Sequence, residues 1–227
     1  MDGVRWIIHL PGPTDHLTRG PRTGESPEIH ECEEVTDFDR LLTRVRGCTL
    51  CADQLPHPPR PVVQADPAAR ILIAGQAPGR RVHESGVPFD DPSGERLRDW
   101  MGLSREEFYD PAVLAILPMG FCYPGTGSSG DLPPRPECAP AWREELLAGL
   151  PAVDLTLVIG AYAQTWHLDA RGERVTDVVR RWQERWPTVV PLPHPSPRNR
   201  RWLAKNPWFE EEVLPALRKR IAEVLGR

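Results

Sequence analysis

Hydrophobic positions along this chain fall into two patterns: short unbroken apolar runs, and longer stretches in which apolar residues recur every three or four positions. The runs are Ile71–Ala74, Val113–Leu117, Leu155–Ile159 and Val189–Leu192. Each is bounded by Gly, Pro or a charged residue, and each reads as a strand of a parallel sheet, buried on both faces. Helical spacing fills the intervals. Asp37 is the predicted cap of a helix carrying Phe38, Leu41, Leu42 and Val45 and ending at Gly47, and Ser93 the predicted cap of one carrying Leu97, Trp100 and Met101. Ser104 and Glu107 form a capping-box pattern before Phe108 and Tyr109. Further helices should turn Trp142, Leu146 and Leu147 inward, then Tyr162 and Trp166, then Val178, Val179 and Trp182. A last stripe within Trp208–Leu225 runs through Phe209, Val213, Leu214, Leu217, Ile221 and Val224, with Pro215 predicted to kink it. Strands alternating with helices predict an α/β fold, a doubly wound α/β/α sandwich around a central four-stranded parallel sheet.

The intervals without period carry their own information. Met1–Thr36 mixes Gly, Pro, acids and isolated hydrophobics, which predicts a weakly ordered extension in front of a single domain over 37–227. Ala52–Arg70 is proline-rich and should run extended into the first strand. The connection from Gly75 to Ser93 is far longer than the about 2–6 residues usual between strand and helix, and its glycines and prolines fix backbone amides. It leaves the carboxyl end of a strand, where open α/β sheets bind ligands. A second long loop, Pro118–Pro136, has glycines at 120, 125, 127 and 130 and ends at Cys138.

Composition narrows the function. The chain has 227 residues, 40% hydrophobic, enough for one core, and no apolar run long enough to cross a membrane. It begins without a signal-peptide pattern, so a cytoplasmic monomer with no membrane partner is expected. A net charge of -4 argues against broad electrostatic attraction to nucleic acid. Basic residues nonetheless gather at Arg198, Arg200, Arg201 and Lys205, and at Arg80 and Arg81, as either a solvated face or a DNA-facing patch.

Cys48 and Cys51 form C-x2-C, and Cys122 and Cys138 stand with fifteen residues between them. All four lie beside Gly or Pro loops, outside the apolar runs, which suits metal thiolates better than scattered core residues or a redox pair. Spacing does not separate zinc from an iron–sulfur cluster. Cys32 lies outside the pattern.

Two motifs bring a family into view. G-Q-A-P-G at Gly75–Gly79, followed by G-V-P-F at Gly86–Phe89, resembles the first motif of the uracil-DNA glycosylase superfamily, and H-P-S-P at His194–Pro197 resembles its closing motif. The resemblance runs from about Phe38 to Leu225. It implies a monofunctional DNA glycosylase of base excision repair that hydrolyses the N-glycosidic bond of a flipped deaminated base, uracil first, in DNA. It also implies that Phe89 stacks on the base, that His194 hydrogen-bonds its carbonyl, and that Gln76 and Ala77 complete the base site. Ser196, Pro197, Arg198, Asn199 and Arg200 would press on the DNA. The cysteine spacing resembles that of the family 4 and family 5 enzymes, implying a structural four-iron four-sulfur (4Fe-4S) cluster, with zinc the alternative. Two positions depart from the pattern. Gln76 stands where family 4 usually has Glu; its amide cannot take a proton but can still orient a water or donate to a carbonyl, so water activation shifts to Asp91 or Asp90, with His83 and Glu84 nearby. Pro118 stands where family 4 usually has Asn, which opens the substrate range to deaminated purines. A catalytically weak nucleic-acid-binding member and a cysteine-based metal sensor are the competing readings.

Overall fold

The computed structural model describes residues 35–128 and 130–227; of the extension predicted over residues 1–36, all up to residue 34, Cys32 included, lies outside them. Strands form at β1 (Ile71–Ala74), β2 (Leu114–Ile116), β3 (Thr126–Gly127), β4 (Gly130–Asp131), β5 (Leu155–Ile159) and β6 (Val189–Leu192). The helices are α1 (Asp37–Arg46), α2 (Arg80–Ser85), α3 (Pro92–Met101), α4 (Arg105–Tyr109), α5 (Cys138–Ala148), α6 (Gly160–Leu168), α7 (Val175–Arg180), α8 (Arg200–Lys205) and α9 (Leu214–Val224). The four apolar runs pair in parallel in the order β2-β1-β5-β6, with Ile73 level with both Ile116 and Leu157, and Ile159 level with Leu192. This is the expected doubly wound α/β arrangement.

Alternation of side chains assigns the two faces. Ile71, Ile73, Leu114, Ile116, Leu157 and Leu192 pack with Leu97, Trp100 and Met101 of α3 and with Leu217 and Ile221 of α9. From the other face, Leu72 and Ala115 pack with Phe38, Leu41 and Leu42 of α1 and Leu146 of α5. Parallel register brings the carboxyl ends of β1 and β6, with the two motif loops, to the same edge of the sheet.

Several local expectations are corrected. The cap of α1 is Thr36, whose hydroxyl accepts from Asp39 N in a capping box, so Asp37 is the first helical residue. The cap of α3 is Asp91, two residues earlier than Ser93, because Pro92 suits the first helical position. Tyr162 and Trp166 are each 41% exposed; α6 instead turns Ala163 and Gln164 to the sheet, small and amide side chains that permit close approach. Pro215 sits in the first turn of α9, after a π-helical turn at Phe209–Val213 that widens the helix where the proline ring would clash. In α5 Leu146 is buried as expected, but so is Arg143, at 1% exposure. Its Nη1 donates to the carbonyls of Leu117 (3.0 Å) and Pro118 (3.2 Å), and its Nε and Nη2 lie 3.0 and 2.7 Å from His167 Nε2. Within the second long loop, β3 and β4 pair antiparallel as a short ribbon that no periodicity announced.

Candidate functional site

One cavity of about 230 Å³ opens at that sheet edge, below the about 300–1,000 Å³ of sites for drug-sized ligands and suited to one planar ring system. Gly75, Gln76, Ala77, Pro78 and Gly79 wall it from the β1 loop, Pro88, Phe89, Asp91 and Ser93 from the entry to α3, Ile116 and Pro118 from β2, Asp131 from the ribbon, and His194, Ser196 and Arg198 from the β6 loop.

Phe89 is held by strain as well as packing. Its φ of 54° lies in the left-handed region, which costs a non-glycine residue about 1–2 kcal/mol. Gly94 permits the bend: a Cβ there would lie 1.8 Å from the Phe89 carbonyl oxygen. The ring meets Phe108 edge-on at 6.2 Å. Asp91 Oδ1 accepts from Gly94 N (2.9 Å), so its carboxylate is fixed at the cavity wall. Asp90 turns away and accepts from Arg105 (3.3 Å), outside the cavity lining, because its neighbour takes the cap and consecutive side chains diverge. Glu84 pairs with Arg80, and His83 stacks against His57 at 5.3 Å; neither lines the cavity.

His194 is placed from three sides. Buried Gln164 donates to Leu192 O (3.1 Å), Asn199 Nδ2 donates to the His194 carbonyl (2.7 Å), and Ser196 N donates to His194 Nδ1 (3.1 Å). The last contact decides the chemistry. A backbone N–H can only donate, so Nδ1 is the acceptor and the proton of the neutral ring resides on Nε2. Burial holds the ring below the ordinary imidazole range, outweighing Asp91 and Asp131, which act to raise it. The site therefore offers a neutral Nε2–H donor. Arg96 of α3, a residue the sequence did not single out, donates to Pro195 O (3.2 Å) and Ser196 O (3.0 Å) and clips the two motif loops together.

Of the expected DNA contacts, Ser196 and Arg198 line the cavity, whereas Pro197 begins a 3-10 turn, Asn199 serves the His194 carbonyl and Arg200 starts α8. Gln76 lines the cavity with its Nε2 donating to Leu132 O (3.1 Å). Pro118 lies in the floor. Around it, Leu117 N, Met119 N and Gly120 N all donate to the β1 strand and loop (2.9, 2.8 and 3.0 Å), and Arg143 holds the carbonyls of Leu117 and Pro118.

Cys48, Cys51, Cys122 and Cys138 gather around a second, smaller cavity and form no disulfides. Phe121 N donates to Cys138 Sγ (3.4 Å). Burial pushes the Cys122 thiol up to about 11 and the Cys138 thiol up to about 12, so a cation among them is what would hold them as thiolates. Among the described residues, no three Cys, His, Asp or Glu side chains converge closely enough for a single metal ion.

Comparison with known proteins agrees with this geometry. A family described as the uracil DNA glycosylase superfamily matches residues 62–218. A type-4 uracil-DNA glycosylase of Thermotoga maritima is 28% identical over 172 residues, which span 72% of this chain and 83% of that protein.

Proposed function

Because the chain belongs to the uracil-DNA glycosylase superfamily, we propose that its cavity takes an extruded deaminated base, uracil foremost, and hydrolyses the bond joining it to deoxyribose. The observation that carries this reading is the Ser196 N–H on His194 Nδ1, which aims a neutral donor into the cavity that Phe89 also lines. Phe89 stacks on the base, which is worth about 1–3 kcal/mol without specifying it. His194 Nε2–H donates to the carbonyl oxygen on which charge collects as the glycosidic bond breaks, and the departing base leaves as a stabilised anion. Asp91, a carboxylate held at the wall by its cap, faces the positive charge developing on the sugar and orients the attacking water. Ala77 and Gln76 close the base site, and Ser196 and Arg198 meet the DNA backbone with Arg200 beyond them. Base excision repair as the process, the cytoplasm as the compartment and a single copy as the working unit go with this reading.

The experiment is a panel of oligonucleotides carrying uracil, hypoxanthine or xanthine, single- and double-stranded, incubated with the protein and then cleaved with alkali at abasic sites. Uracil strands should be nicked. A second reading, a nucleic-acid-binding member without turnover, is favoured by the amide of Gln76, which is held by Leu132 O and cannot take a proton. Strand binding with no nicking on any base would establish it in place of the first.

Cys48, Cys51, Cys122 and Cys138, which line one small cavity and form no disulfides, would hold a 4Fe-4S cluster, with a single zinc the alternative. Bound there, it would supply a structural cross-link between the α1 end, which carries Cys48 and Cys51, and the floor loop, which carries Cys122. The purified protein should be brown and contain iron and sulfide. A colourless, zinc-loaded protein would overturn the cluster and spare the glycosylase.

A further inference from the structure

We propose that Asp131 is the residue that recognises a deaminated base, by accepting the ring N–H that deamination creates. The inference rests on the cavity being a base pocket. Deamination of cytosine converts N3 from a lone-pair acceptor into an N–H donor, and deamination of adenine does the same at N1. An ionised carboxylate only accepts, so it welcomes the products, uracil and hypoxanthine, and repels the lone pair of their parents. One carboxylate can thus serve a pyrimidine and a purine.

Several observations place this task on Asp131. The floor around Pro118 has no free N–H to offer a base edge, since Pro118 lacks one and the neighbouring amides serve the β1 strand and loop, and the Leu117 and Pro118 carbonyls already accept from Arg143. Gln76 Nε2 donates to Leu132 O, and that bond fastens the chain next to Asp131 against the β1 loop. Asp131 itself is set from the ribbon: Thr126 Oγ1 donates to its Oδ1 (3.3 Å), and Tyr123 Oη lies 2.5 Å from Thr126 Oγ1. Its Oδ2 lies 3.5 Å from where a Cβ on Gly79 would stand. The missing side chain at Gly79 keeps the space beside that oxygen open. Asp91 is tied to its cap on the Phe89 side of the cavity, so the two carboxylates divide between the sugar and the base edge.

Two assays on the full chain test this. Binding of free uracil, cytosine, hypoxanthine, adenine and 3-methyluracil is followed by saturation-transfer NMR, which needs no turnover. The wild type should bind uracil and hypoxanthine and reject the other three. Asp131→Ala should lose the preference, and Asp131→Asn, whose amide can donate as well as accept, should admit cytosine. The uracil-to-cytosine ratio should fall by about 10–100-fold, the value of one well-made base contact. An unchanged ratio in both variants overturns the proposal. Single-turnover base release from uracil strands is measured in parallel. A uniform loss of rate with the binding ratio intact also overturns it, by placing Asp131 at the water. Absence of turnover in the wild type defeats the glycosylase reading alone, because the binding assay still decides Asp131.

Discussion

Replacing His194 by alanine should lower the single-turnover rate of base release by about 10²–10³-fold, the cost of deleting one preorganised donor to a developing oxyanion, while DNA affinity changes little. The expectation follows from the tautomer. With Nδ1 occupied by Ser196 N–H, the ring has its donor at Nε2, which under the proposed function would meet the charge of the transition state and contribute little to ground-state binding. Because burial depresses its pKa, the ring should stay neutral and working as pH falls through the ordinary imidazole range, and the rate should drop only below it. Protonation would put an N–H on Nδ1 facing the Ser196 N–H, donor against donor. Rates and affinities measured for the wild type and for His194→Ala across pH 5–8 check the claim. Equal losses in both would make His194 a phosphate contact.

Arg143→Ala should cost about 3–5 kcal/mol of folding stability, since a large buried side chain disappears and the carbonyls it held lose their donor. For a chain of this size that is a fall in Tm of about 6–20 °C. The same group shapes the acid response. Burial, and then the Arg143 charge, bring His167 down to about 4 from an ordinary 6.5. A folded-state value below the unfolded one means that the neutral ring's contribution is complete above pH 6.5 and is lost as pH falls from there towards 4. Thermal melts of the wild type should decline through that window. In Arg143→Met the cation is gone and the decline should be shallower. Parallel declines in the two proteins would show that Arg143 does not govern His167.

The strands were legible because parallel sheets bury both faces and leave unbroken apolar runs; β5 and β6 coincide with their predicted limits, and β2 is one residue shorter at each end. The motif loops gave up Phe89 and His194. The residues that organise those two were hidden for identifiable reasons. Arg143 and Arg96 are polar residues within helices, where a binary pattern assigns them to solvent, and only the carbonyls they meet about 26 and 100 positions away explain why the first is buried and the second half-buried. Asp131 sits on a two-residue strand, too short for any period. Asp90 and Asp91 are adjacent acids in sequence, and their separation depended on which one capped α3, a choice that Pro92 signals.

Arg96 also joins two walls of the cavity that come from distant parts of the chain. Its guanidinium grips two successive carbonyls of the His194 loop while its backbone belongs to the helix that starts at Asp91. The wall bearing the imidazole and the wall bearing the phenyl ring are thereby tied to each other, while the third wall, the small ribbon, is fastened separately, through the Gln76 amide on Leu132 O.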